Sequence, residues 1–78
     1  MNRSVDIKIG DRVIWESQAA GSWKRKIGKV TGVMDKHLKV AVDIVVGYNP
    51  YDKSEIGERE RLKAPRLYFP YRRQCRKI

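Results

Sequence analysis

The chain has 78 residues, 41% hydrophobic and 35% charged, with 18 lysines and arginines against nine acids, a net charge of +9 and a pI near 10.1. This length allows one domain, which buries only about 60% of the surface its unfolded form exposes. The composition is too apolar for a fully disordered chain, the single Cys75 excludes an intrachain disulfide, and no apolar run approaches the ~20 residues of a membrane-spanning helix.

In chain order, Met1 to Ser4 reads as a frayed arm. Val5 to Ile9 alternates apolar and polar and predicts a short lead-in strand, with Gly10-Asp11 turning the chain. Arg12 to Ser17 is the first main strand, with Val13 and Trp15 on one face. Gln18 to Ser22 reads as a small polar loop. Trp23 to Val33 is the longest strand, and Gly28 inside it predicts a bulge or sharp bend. Met34 to Lys36 turns the chain again. His37 to Ile44 then alternates without error, with Leu38, Val40, Val42 and Ile44 inward, the pattern of an antiparallel strand with one wet face.

Val45 to Pro65 breaks the alternation. Its Gly47-Tyr48-Asn49-Pro50-Tyr51-Asp52 run is turn chemistry, and Lys53 to Lys63 is highly charged. The segment predicts an insertion at 45–65, either a long loop or a short helix with Ser54 as its N-cap. Pro65 to Phe69 resumes a strand with Phe69 in the core. Pro70 to Cys75 suits one 3₁₀ turn. Arg76 to Ile78 would be the closing strand, with Ile78 plugging the end of a barrel.

The predicted class is therefore all-β: about five antiparallel strands, with a long loop between the third and fourth main strands. This order resembles the SH3-like small barrels, the Tudor and KOW type in particular. The matching residues are Gly10-Asp11-Arg12-Val13, Ile27-Gly28-Lys29-Val30, Leu38-Lys39-Val40-Ala41-Val42 and Cys75-Arg76-Lys77-Ile78. Gly10-Asp11-Arg12-Val13, Ala19-Ala20, Trp23 and Phe69-Pro70 also resemble the plasmid-type (type II) dihydrofolate reductase. That family's folate and nicotinamide site uses a Val-Gln-Ile-Tyr tetrapeptide, whereas the corresponding positions here read Arg66-Leu67-Tyr68-Phe69. The second resemblance thus implies the architecture and oligomerisation, without the reductase activity.

The excess charge has a definite location. Lys24, Arg25, Lys26 and Lys29 form one acid-free cluster, and Arg66, Arg72, Arg73, Arg76 and Lys77 form another; the other bases are matched by the acids. Aromatic rings interleave both clusters. Lysine and arginine neutralise phosphates while rings stack on exposed bases, so the pattern points to nucleic acid, DNA or RNA, held with little sequence specificity. The expected contact residues are Trp23, Lys24, Arg25, Lys26, Lys29, Arg66, Tyr71, Arg72, Arg73, Arg76 and Lys77, on one shared face. An acidic protein is the alternative partner, met by an adaptor or inhibitor, and a homo-oligomer is left open. Trp15, Trp23, Tyr48 and Tyr51 could wall a cage for a methylated cation, which the net charge of +9 opposes. No catalytic residue, cofactor or metal is expected: His37 reads as a surface residue and Cys75 as a small filler at the core's edge. The N-terminus lacks the apolar core of a signal peptide, and the expected location is cytoplasmic.

Overall fold

A computed structural model of the chain describes residues 7–78. Its strands are β1 (Arg12–Ala19), β2 (Ser22–Val33), β3 (Leu38–Asn49), β4 (Ser54–Tyr68) and β5 (Arg76–Lys77). They form one antiparallel sheet in the order β4-β3-β2-β1-β5. Among the described residues the only helical piece is a 3₁₀ turn at Arg72–Gln74. The five-strand all-β architecture is the one expected.

The register begins at a tight turn. Ala20 and Gly21 both have positive φ, 53° and 81°, the geometry that lets two residues reverse a twisted hairpin. The pairing is then continuous from Ala19 with Ser22 to Arg12 with Lys29. Opposed residues share a face, so Val13 and Trp15 point inward and Ile14 and Glu16 outward. The core gathers Ile7, Val13, Trp15, Val30, Leu38, Val40, Val42 and Cys75. Each large apolar side chain there contributes roughly 1.5–3 kcal/mol by leaving water. Tyr68 packs against them and meets the Trp15 ring edge-on, centroids 6.3 Å apart.

Gly28 marks the close approach of β2 and β3. A Cβ placed there would lie 2.4 Å from the Ala41 carbonyl oxygen. The bulge predicted at this point belongs to the partner strand: Ile27 pairs with Ile44 and Gly28 with Val42, so Asp43 is the extra residue. That insertion reverses the phase of β3. Ile44, expected inward, joins Ile14 and Ile27 across the outward face.

The long loop or helix at 45–65 is replaced by a hairpin. Asn49 Oδ1 accepts hydrogen bonds from the backbone N–H of Tyr51 (2.9 Å) and Asp52 (3.3 Å), Pro50 presets its own φ, and Lys53 takes a left-handed conformation at φ 54°. The chain therefore reverses within four residues and pairs Ser54 with Asn49. Gly57, at φ 79°, falls inside a slip of register between β3 and β4. Pro65 is tolerated because β4 is an edge strand.

Three smaller expectations also change. Lys8 and Asp11 bond each other through backbone and carboxylate, which curls the chain at Ile9-Gly10 and leaves no strand over Ile7–Ile9. Residues 1–6, with the frayed arm and the start of the lead-in strand, lie outside the described residues. Ile78 is 68% exposed and plugs nothing, and Phe69, expected in the core, is 56% exposed.

Candidate nucleic-acid interface

The two basic clusters do meet, but at a carboxylate. β1 lies between β2 and β5, and its outward Glu16 faces Arg25 on one side and Arg76 on the other. Arg25 Nε donates to Glu16 at 2.7 Å, and Arg76 makes a two-pronged bond to the same group. Arg25 also reaches Glu55 at 2.8 Å, which Arg59 holds as well. Burial alone would raise the Glu16 carboxyl, yet the bonds from Arg76 and Arg25 hold it below its ordinary value. Hydrogen bonds from Arg59 and Arg25 bring Glu55 down to about 2. A second group joins Arg12, Asp43 and Arg61. Ile27 and Val46, buried outside the main core, sit on this same outward face, Val46 directly opposite Arg25. These arginines are structural cations.

The other expected contacts are dispersed. Lys77 pairs with Asp11 at 3.4 Å. Lys26 points inward and is only 5% exposed; its Nζ donates to Ser17 Oγ at 2.9 Å and lies 5.2 Å from the Tyr68 ring centre. Burial, helped by the nearby charge of Lys24, lowers its pKa. Arg72 is spent on the fold, its side chain donating to the Asp35 carbonyl and its backbone N–H to that of Lys36. Arg66 is exposed but in the opposite phase to Leu67. Trp23 and Lys24 sit beside the Ala20-Gly21 turn, at the far end of β2 from Lys29. The proposed cage is closed too: Trp15 is core, and Arg25 already lies 4.8 Å from the Tyr48 ring centre.

A different surface does collect free cations and rings. Ala41 pairs with Leu67, and His37 bridges to Tyr71, so the same register sets Lys39 opposite Phe69. Leu38, Val40 and Val42 are core, which turns His37, Lys39 and Ala41 outward. Leu67, Phe69 and Tyr71 thus form a ladder on one face, 54%, 56% and 47% exposed. His37 braces the top of it, its ring centre 4.4 Å from that of Tyr71 and tilted by 30°. On β2, Lys29 stands opposite Ala41 and Gly32 opposite Lys39. The Arg73 guanidinium lies 5.6 Å from the Tyr71 ring centre. Among the described residues no carboxylate is within ion-pair reach of Lys29, Lys39 or Arg73. Asp43 is already held by Arg12 and Arg61.

Of the eleven expected contacts, this face retains Lys29, Tyr71 and Arg73. It adds Lys39, Leu67, Phe69 and His37, which sequence reasoning left out. A signal for them was present. Leu67, Phe69 and Tyr71 alternate with Tyr68 and Pro70, and only one of those two sets can face the core. Cys75, the expected filler, is buried, and burial pushes its thiol up to about 11. No three or more metal-ligating side chains come together among the described residues, and no helix among them is long and apolar enough to cross a membrane. In comparisons with known proteins, the chain matches no family model, no curated protein and no solved structure.

Proposed function

We propose that this protein is a nucleic-acid-binding domain of the SH3-like small-barrel kind, holding the phosphate backbone with low sequence specificity. The observation that carries the reading is the ladder Leu67-Phe69-Tyr71 flanked by Lys29, Lys39 and Arg73, three cations with no carboxylate partner among the described residues. Apolar rings left in water beside unneutralised charge suit a partner that offers both phosphates and flat bases. The return of β5 to pair with β1, after the meander from β1 to β4, supports the barrel reading.

The binding surface is smaller than composition suggests. Arg12, Arg25, Arg59, Arg61, Arg76 and Lys77 are held by four carboxylates, Glu16, Glu55, Asp43 and Asp11, and the cations gathered on this face are Lys29, Lys39 and Arg73. Three phosphate contacts give a slope of log affinity against log salt of about −2 for a single strand. Fluorescence anisotropy of a labelled oligonucleotide, titrated with the full chain at several salt concentrations, measures that slope. A slope near −2 supports the reading. Absence of binding at low salt refutes it.

A further inference from the structure

We infer that the ligand is an unpaired strand, its bases laid on Phe69 and on the His37–Tyr71 pair and its phosphates on Lys29, Lys39 and Arg73. The inference rests on the nucleic-acid reading above and goes beyond it by choosing single strand over duplex.

Spacing is the first argument. Alternate residues of a strand stand about 6.7 Å apart, so Leu67, Phe69 and Tyr71 span roughly 13 Å. Neighbouring bases in a duplex strand are stacked about 3.4 Å apart and shielded by each other. They cannot open onto a ladder of twice that spacing without losing their own stack. An unpaired strand can extend to that spacing and place successive bases on successive rungs.

Shape is the second. The major groove of duplex DNA admits an α-helix or a two-stranded ribbon. Here the cation-bearing face is three strands wide, about 10 Å from β2 to β4, and one of its rows is low at the centre: Ala41, on β3, carries only a methyl between Lys29 and Leu67. A shallow floor edged by rings and amines receives a flat, extended ligand better than a convex double helix.

The rings themselves are the third. Phe69 is more than half exposed and has no aromatic or cationic partner among the described residues, so both entropy and solvation favour covering it. Tyr71 is already held in place by His37, and the 3₁₀ turn that follows it is tied to the β2–β3 connection through Arg72 and Lys36. A platform ordered in advance binds without the entropic cost of arranging it. Such base–ring stacking tolerates any sequence, in keeping with the low specificity proposed.

The experiment is an anisotropy titration of the full chain with three labelled probes of equal length: oligo-dT, a duplex, and an abasic sugar–phosphate strand of the same charge. The expected order is oligo-dT tightest. Phe69→Ala should weaken oligo-dT binding by between about fivefold and 150-fold and leave the abasic strand unchanged. Phe69→Leu, which keeps apolar bulk but loses the ring, should behave similarly, with thermal melting confirming that both variants fold. If the three probes bind alike, or the duplex binds tightest, or Phe69→Ala has no effect while Trp23→Ala does, the inference is overturned and phosphate binding survives. If no probe binds, the nucleic-acid reading fails with it.

Discussion

Gly28→Ala tests the close approach on which the sheet's shape depends. The added Cβ would lie 2.4 Å from the Ala41 carbonyl oxygen, 2.7 Å from Val42 Cα and 2.8 Å from Ala41 carbonyl carbon. Ordinary contact starts near 3.4 Å, so β2 and β3 would have to separate by about 1 Å at this point. All three atoms are backbone, and no rotamer change can relieve the clash. Overpacking costs typically about 1–3 kcal/mol, and a site without flexible neighbours belongs at the upper end. For a chain of this length total stability is roughly 4–12 kcal/mol, so a loss of about 3 kcal/mol lowers Tm by about 12–24 °C. Gly32→Ala is the milder comparison: its Cβ would meet Lys39 Cβ at 3.2 Å and Cδ at 3.6 Å, so a shift of a few tenths of an ångström suffices, for a loss of about 1 kcal/mol. Urea denaturation followed by the fluorescence of buried Trp15 measures both variants. A Gly28→Ala loss within about 0.5 kcal/mol of that for Gly32→Ala would refute the reasoning, because the strands would then have room to spare.

Ala20 occupies a left-handed position that asparagine tolerates better, so Ala20→Asn should stabilise the first hairpin by about 0.5–1 kcal/mol, read as a rise in Tm. Glu55 is pulled down to about 2 by Arg59 and Arg25, so its contribution is present above the ordinary value of 4.5 and is lost as pH falls towards 2. Because the ion pairs are partly exposed, melting curves from pH 7 to pH 2 should show Glu55→Gln removing no more than about 1 kcal/mol of that acid-sensitive stability. Burial depresses the Lys26 pKa, so its charge costs stability below the folded value, and that cost disappears as pH rises towards the ordinary lysine value of 10.5. Lys26→Met keeps the apolar stem, and it should raise stability at pH 7 by about 1 kcal/mol and flatten the alkaline rise. A loss of that size instead would mean that the Ser17 and Tyr68 contacts outweigh the desolvation.

Where one face was apolar and the other wet, the strands were legible in the sequence, as from His37 to Val42. The 3₁₀ turn was also legible, from a segment too short and polar for a helix. β4 was not. Its Glu58-Arg59-Glu60-Arg61 run alternates charge of opposite sign rather than apolar with polar, because an edge strand on a charged outer face has little to bury. A five-residue loop over Gln18 to Ser22, as expected from its polar letters, leaves the partner of Arg25 undefined. Read as a two-residue turn at Ala20-Gly21, the same letters set Glu16 opposite Arg25 and reveal the cation as spent. Phe69, expected in the core, has the opposite phase to Tyr68, and it is Tyr68 that packs inward. Long-range pairing, such as that of Arg76 with Glu16, depends on β5 returning to β1 and leaves no local trace.

The location of the binding face is tested most directly by titrating the isotopically labelled full chain with oligo-dT and following backbone amide shifts by NMR. The expected result is perturbation confined to Lys29, the stretch from His37 to Ala41, and the stretch from Leu67 to Arg73, growing as salt is lowered. Shifts gathered instead around Trp23 and Lys24, or spread over Arg25 and Arg76 with the Phe69 face silent, would contradict the account.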